Sequence, residues 1–321
     1  MSPVRAPLSS NMIAWADAGR EARFLAWLEP LALRMGLVVE SLREASADAS
    51  FRRYFRIDGA ETSYIVMDAP VDKEDSRPFV EVAALMRAAG LHVPQVLDWQ
   101  QSDGFLLLSD LGDQTMMQVL QPQAPQANLP LYLQAVDVLV AWQKASRPDV
   151  LPPYNEALLQ RELGLFPQWY LNRHKGLTLT GSQQRILEQS FERIVAANLA
   201  WPQVFVHRDF MPRNLMVPVQ AGEPMGVLDF QDAVYGPITY DVASLMRDAF
   251  ISWDEEFCLD VTVRYWEKAR KAGLPVGADF GDFYRGVEWM GLQRHLKVAG
   301  IFADRKSTRL NSSHQIISYA V

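Results

Sequence analysis

Apolar positions along this chain change their period about a third of the way in. Before residue 110 the pattern is mostly that of strands. Phe51, Arg53, Phe55 and Ile57 alternate with Arg52, Tyr54 and Arg56, a period of two. This predicts a strand over Phe51–Asp58, paired through the small polar loop EASADAS with a strand over Leu37–Arg43. Ser63–Asp68, Gln95–Trp99 and Phe105–Ser109 read as three more. In the last, Leu106, Leu107 and Leu108 are consecutive, as in a strand buried on both faces. Two helices interrupt this sheet. One covers 17–34, with Asp17 as its cap, Phe24, Leu25 and Leu28 on one face, and Pro30 kinking or ending it. The other covers Pro78–Ala89, buries Phe79, Val82, Ala83 and Met86, and stops at Gly90.

Beyond the polar turn Asp110–Asp113, suited to a hinge, the period becomes helical. A Pro/Gln-rich loop, QPQAPQANLP, precedes helices over Leu131–Lys144, Asn155–Leu171 and Ser182–Leu199, the last with a capping box from Thr180 and Gln183. Helices over Ile238–Phe250, Asp254–Lys271 and Asp279–Phe302 complete the series. The fold class is therefore α+β, with a strand-rich part at 1–110 and a helical part at 111–304. From about Arg305 the helical stripe stops and Ser and Asn become frequent, so 305–321 reads as a non-native tail, the translation of vector or adapter DNA, without functional content.

Composition narrows the function. With 321 residues, 49% hydrophobic and 21% charged, the chain is long enough for two lobes around substantial cores. A net charge of −7 argues against a general nucleic-acid binder, which needs a basic footprint. The single cysteine, Cys258, excludes an internal disulfide and fits a reducing compartment. The start of the chain lacks the apolar core of a signal peptide, and no apolar run approaches a membrane span. A cytoplasmic protein is expected.

The chemistry concentrates in 206–231, VHRDFMPRNLMVPVQAGEPMGVLDFQ. An apolar run, Val204–Val206, feeds a loop carrying His207, Asp209 and Asn214. Short strands over Leu215–Val217 and Met225–Leu228 flank a turn at Gly222 and Glu223 and deliver Asp229. The spacing H-x-D-x-x-x-x-N, followed by Asp-Phe after a hairpin, is the catalytic and metal loop pair of kinases. In that reading Asp209 accepts the proton of an acceptor hydroxyl. Asn214 and Asp229 hold magnesium against ATP phosphates, oxygen ligands suiting a hard cation. His207 orders the loop, and Asp241 either braces it or caps the following helix.

With these motifs in place, the chain resembles the aminoglycoside phosphotransferase and choline kinase superfamily, a branch of the bilobal protein-kinase-like fold. HRDFMPRN matches its catalytic loop, LDFQD its metal loop, and YDVASL the helix start with the bracing Asp. DASFRRYFRI, FLLLSDLGDQT and LQRHLKVAGIFA bring it closer to the bacterial anomeric kinases of N-acetylmuramate and N-acetylglucosamine in cell-wall recycling. The resemblance implies ATP- and Mg2+-dependent transfer to the anomeric hydroxyl of an N-acetylated amino sugar by a monomer, with no nucleic acid or membrane as partner. It makes Ser50, Arg53, Glu81 and Asp110 the candidate nucleotide contacts, and Gln231, Asp232 and Arg294 the candidate sugar contacts.

Two features depart from the family pattern. The third strand, SYIVMDAP, lacks the usual phosphate-gripping lysine, leaving Lys73, Arg52, Arg53 or Arg56 to supply that charge. Family members also continue past IFA with more helix. Kinases of an aminoglycoside, choline or homoserine, and a catalytically dead nucleotide-binding scaffold, are the alternatives.

Overall fold

A computed structural model describes Ile13, Trp15, residues 17–47, 51–218 and 222–309. These fold as two compact units, one drawn from residues up to Ala88 with His92–Asp113, the other from Ala89–Leu91 with the chain from Gln114 onward.

In the first unit, helix α1 (Ala18–Met35) starts where Asp17 Oδ1 accepts from the Gly19 amide at 2.8 Å and ends at Gly36, which takes φ 67°. Pro30 lies inside it, so of the two expected outcomes the helix does not end there. A proline inside a helix costs about 3 kcal/mol, and burial of Phe24, Leu28, Leu31 and Ala32 along one face offsets that loss. Strands β1 (Val38–Ala47), β2 (Arg53–Asp58), β3 (Ser63–Asp68), β4 (Val96–Gln100) and β5 (Phe105–Ser109) form an antiparallel sheet in the order β1-β2-β3-β5-β4. Helix α2 (Arg77–Ala88) is the element between β3 and β4. The β1 strand is longer than the period-two pattern suggests because its register against β2 shifts twice, and such irregularities hide alternation. Phe24, Leu28, Phe55, Ile57, Val66, Phe105 and Leu107 make the core between α1 and the sheet.

At one edge of that core the carboxylate of Asp68, fully buried, receives Arg20 Nε at 2.9 Å and Arg53 Nε at 3.0 Å. The register pairs Arg53 directly with Asp68 across β2 and β3, so strand pairing itself delivers the charge pair. Arg53 also lies over the rings of Trp15 and Phe55.

The second unit is helical apart from two small two-stranded sheets. In order it contains α3 (Met116–Val119), a 3-10 turn (Pro125–Asn128), α4 (Leu129–Lys144), α5 (Glu156–Leu165) and π-helical turns (Phe166–His174). Helix α6 (Gly181–Leu199) follows, started by the Thr180–Gln183 capping box that its sequence predicts. Then come β6 (Gln203–Val206), a 3-10 turn (Pro212–Asn214), β7 (Leu215–Met216), β8 (Gly226–Val227), β9 (Val234–Pro237), α7 (Tyr240–Met246), α8 (Glu255–Lys271) and α9 (Phe280–Arg309). Strand β9, paired antiparallel with β6, has no sequence counterpart: four residues ending in Gly-Pro carry no readable period. Helix α9 packs against α5, α6, α7 and the π-helical turns. It can do so closely because Gly300 lacks a side chain; a Cβ there would lie 2.6 Å from Leu165 Cβ. The helix also continues beyond the predicted end at Phe302 to Arg309, while residues 310–321 lie outside the described residues. Among the described residues no helix is long and apolar enough to cross a membrane.

The Asp68 cluster makes a prediction. Asp68→Ala leaves the Arg20 and Arg53 cations facing each other without their carboxylate, and should cost about 3–5 kcal/mol of stability. Urea denaturation of the variant against the parent chain measures it.

Candidate active site

Strand β6 is buried from Val204 onward, and the backbone turns sharply where it stops. Arg208 takes φ 78°, a left-handed conformation that a side chain with a Cβ adopts only under constraint. The constraint is visible. The buried carboxylate of Asp241, at the start of α7, accepts the His207 amide at 2.7 Å and the Arg208 amide at 3.0 Å. The Arg208 carbonyl accepts Arg294 Nη1 at 2.6 Å and the Ser244 hydroxyl at 3.3 Å. The Arg208 side chain runs to Glu162, Nη2 to Oε1 being 2.7 Å.

His207 fixes the loop from inside. Its Nε2 lies 2.9 Å from the Leu228 carbonyl, and its Nδ1 lies 3.3 Å from the Asp209 amide. A carbonyl only accepts and an amide N–H only donates, so Nε2 carries the proton and the ring is neutral. Burial agrees, pushing the imidazole down to about 4. His207 is therefore no proton acceptor at neutral pH. Burial acts the other way on Asp241, raising it to about 7 against the two amides that favour its ionised form.

Asp209 follows Arg208 and is partly accessible. Burial disfavours its charge, but the cations of Lys297 and Arg294 outweigh that and hold the carboxyl below its ordinary value, ionised at neutral pH. Asn214 joins the two loops: its Nδ2 donates to the Asp209 carbonyl at 2.8 Å and to Asp229 Oδ2 at 3.2 Å. Pairing of β7 with β8, Leu215 opposite Val227, brings Asn214 and Asp229 together. Asp229 also has positive φ, 63°, tolerable for Asp because its short side chain bonds locally. Gln231 Nε2 holds its other oxygen at 2.8 Å.

Thus His207, Asp209, Asn214, Asp229, Gln231, Asp241 and Arg294 converge in one constellation. Arg294 is buried under the loop, 5% exposed and over the Tyr240 ring, rather than spread on the helix surface. Asp232 is exposed at the edge, its carbonyl 3.5 Å from Arg208 Nη1. The candidate nucleotide contacts belong to the other unit. Ser50 lies outside the described residues. Glu81 is exposed on α2, and in that region Arg52 pairs instead with Glu74 at 3.0 Å. Arg53 is engaged by Asp68. Asp110 receives Arg56 Nε at 2.6 Å, the Ser63 hydroxyl at 2.7 Å and the Gly112 amide at 3.0 Å. Of the four basic residues weighed for the missing lysine, the three arginines each face a carboxylate, and Lys73, about half exposed, has Asp72 at 3.6 Å.

Three members of this environment escaped sequence reading: Tyr154, Glu162 and Lys297. A signal existed. Glu162 stands three residues after Leu159 on the buried face of α5, and Lys297 continues the Met290, Arg294 stripe of α9. Charges on an apolar stripe are the mark.

Asn214 and Asp229 present amide and carboxylate oxygens, the donor types magnesium takes when phosphates and water complete its shell. Among the described residues no group of three or more His, Cys, Asp or Glu is placed to hold a metal.

The profile of the phosphotransferase enzyme family matches residues 41–280. The N-acetylmuramate/N-acetylglucosamine kinase of Pseudomonas aeruginosa is 53% identical over 260 residues, 81% of this chain and 75% of that protein. The protein of the same name from Neisseria meningitidis is 52% identical over 261 residues, covering 81% and 77%. Among solved structures, wild-type aminoglycoside 2'-phosphotransferase-IIIa in its GDP complex has a TM-score of 0.57 at 15% identity, covering 89% of this chain and 99% of its own. A choline/ethanolamine kinase family protein from Mesorhizobium loti has a TM-score of 0.60 at 14% identity, covering 92% and 89%. At such identities the likeness is one of fold, and the fold is kinase-like.

The neutral His207 gives a pH prediction. The unfolded chain takes a proton on this residue near 6.5, whereas the folded state resists it down to about 4. The unfolded state therefore binds more protons between those values, and stability falls as pH drops through that window. Asp241, raised by burial, acts oppositely, so the difference between variant and parent is the measurement. His207→Gln, which keeps a donor for the Leu228 carbonyl, should lose the His207 share of the slope when urea denaturation is followed from pH 7 to 4.

Proposed function

The chain belongs to the phosphotransferase enzyme family, and from that premise we propose that it transfers the γ-phosphoryl group of ATP to the anomeric hydroxyl of N-acetylmuramate and N-acetylglucosamine. The observation that carries the acceptor is the 53% identity, over four-fifths of this chain, to a kinase named for those two sugars. The observation that carries the chemistry is the Asn214 amide, shared between the Asp209 main chain and the Asp229 carboxylate.

In this reading Asp209 receives a hydrogen bond from the anomeric hydroxyl and takes its proton as the oxygen attacks phosphorus. The bond from the γ-phosphorus to the bridging oxygen breaks, giving ADP and a sugar 1-phosphate, with the proton left on Asp209 for release to water. Being held ionised by neighbouring cations, Asp209 is ready to accept that proton at neutral pH. Asn214 and Asp229 would hold Mg2+, whose contribution is to neutralise phosphate charge. Gln231 keeps one Asp229 oxygen in place, and Asn214 keeps the other. His207 and Asp241 do no proton chemistry here; they shape the loop. Gln231, Asp232 and Arg294 remain the residues assigned to the sugar, Arg294 acting through the carbonyl it holds.

An anomeric phosphate is the form in which a sugar is activated for nucleotide-sugar synthesis, which fits recycling of cell-wall fragments. Dependence on ATP and the lone Cys258, free and buried, suit a cytoplasmic setting.

Two experiments test the proposal. Phosphorus NMR of purified protein with Mg-ATP and N-acetylmuramate, N-acetylglucosamine, kanamycin or choline should give a sugar 1-phosphate resonance only with the two sugars. Transfer to kanamycin or choline instead keeps the mechanism and rejects the acceptor. Asp209→Asn should lower kcat by about 10²–10⁴-fold while ATP affinity, measured by calorimetry, stays near the parent value. Turnover at the parent rate would remove Asp209 from its role.

A further inference from the structure

One buried carboxylate beside the reacting groups, Glu162, has no part in that mechanism. Glu162 on α5 is 4% exposed. Its Oε1 accepts Arg208 Nη2 at 2.7 Å and Lys297 Nζ at 3.1 Å, and its Oε2 accepts the Tyr154 hydroxyl at 2.5 Å. The four side chains come from α5, the stretch before it, the catalytic loop and α9. Burying a carboxylate costs several kcal/mol. The adjacent cations and hydroxyl outweigh that cost for ionisation, since they hold Glu162 below its ordinary value. Replacing a whole buried charge cluster by apolar side chains of similar volume is often neutral or stabilising, whereas removing its carboxylate alone leaves the cations unpaired. What apolar side chains do not do is orient a guanidinium.

Orientation matters here. The Arg208 main chain is set by Asp241, Arg294 and Ser244, and its side chain by Glu162. Arg208 is left-handed and directly precedes Asp209, so its torsions determine where Asp209 points. The same Glu162 oxygen locates Lys297, one of the cations that keep Asp209 ionised.

We propose that Glu162 is a positioning residue for Asp209, its carboxylate clamping Arg208 and Lys297 into the one arrangement that aims the catalytic loop at the acceptor hydroxyl. This rests on the kinase reading above. It assigns work to a residue that never meets substrate. Displacement of a reacting group by about 1 Å can cost on the order of 10²-fold in rate, so the clamp governs kcat and leaves substrate affinity nearly untouched.

The test compares the parent chain, Glu162→Gln, and Glu162→Gln combined with Lys297→Gln, by steady-state kinetics and by deuterium exchange of the peptide over residues 204–210. The double variant also removes the Lys297 charge that Glu162→Gln leaves uncompensated, and so carries the test if the single variant fails to fold. Expected are a kcat lowered about 10–100-fold, both KM values within roughly threefold of the parent, and faster exchange at the amides of 207–210. A folded variant with kcat within about twofold of the parent, or with unchanged exchange at 207–210, overturns the proposal. So does recovery of parent kcat in the double variant, which would reduce Glu162 to charge balance. If the parent phosphorylates no amino sugar yet exchange at 207–210 quickens in the variants, the acceptor assignment fails and the clamp stands.

Discussion

The left-handed turn at Arg208 is the constraint on which the site depends. A residue with a Cβ at φ 78° is held against an intrinsic preference worth about 1–3 kcal/mol. Six hydrogen bonds to five partners do the holding, two on the amides of 207 and 208, two on the carbonyl and two on the side chain. None of them involves a reacting group. Their effect is to place Asp209 outside the buried strand while keeping its backbone rigid, an arrangement that lowers the reorganisation needed when charge develops. The αL Asp229 is a second case, fixed by amides on both carboxylate oxygens.

Both units bury a carboxylate between two cations, and the two solutions differ in purpose. Asp68 meets Arg20 and Arg53 at the end of paired strands, where the register itself dictates the meeting. That cluster ties α1 to the sheet. Glu162 meets Arg208 and Lys297 next to the loop that carries the chemistry. Buried ion pairs are weak stabilisers compared with apolar packing; what they supply is a defined geometry. The engagement of Arg53 by Asp68 also bears on the third strand: this arginine is a scaffold group in the described arrangement, whatever charge contacts phosphate.

Fold and acceptor rest on different comparisons. Neighbours at 14–15% identity share only the chain path, and one chain path can serve unlike acceptors. The acceptor proposal draws on relatives above 50% identity.

Much of this was legible in the linear chain. Period-two alternation and three consecutive leucines located the sheet, with Ser63–Asp68 and Phe105–Ser109 matched residue for residue, because a side chain in a strand reports its own face. Cap chemistry located α1 and α6 for the same reason: a cap is settled by neighbours within four residues. The spacing of His207, Asp209, Asn214 and Asp229 was likewise readable, since one loop and one hairpin connect them. At Pro30 the chain left a kink or an end open, and the helix runs through because burial that no local pattern records offsets the proline's local cost. Strand β9 was invisible, its four residues being a strand only because β6 lies alongside. Glu162, Lys297 and Arg294 show the limit most sharply. Glu162 and Arg294 meet Arg208 across 46 and 86 positions of chain, and Lys297 meets Glu162 across 135. A charge on a helical stripe tells only that it is buried; which charge it answers is decided by how α5 and α9 pack around the loop, and packing is a property of the folded chain alone.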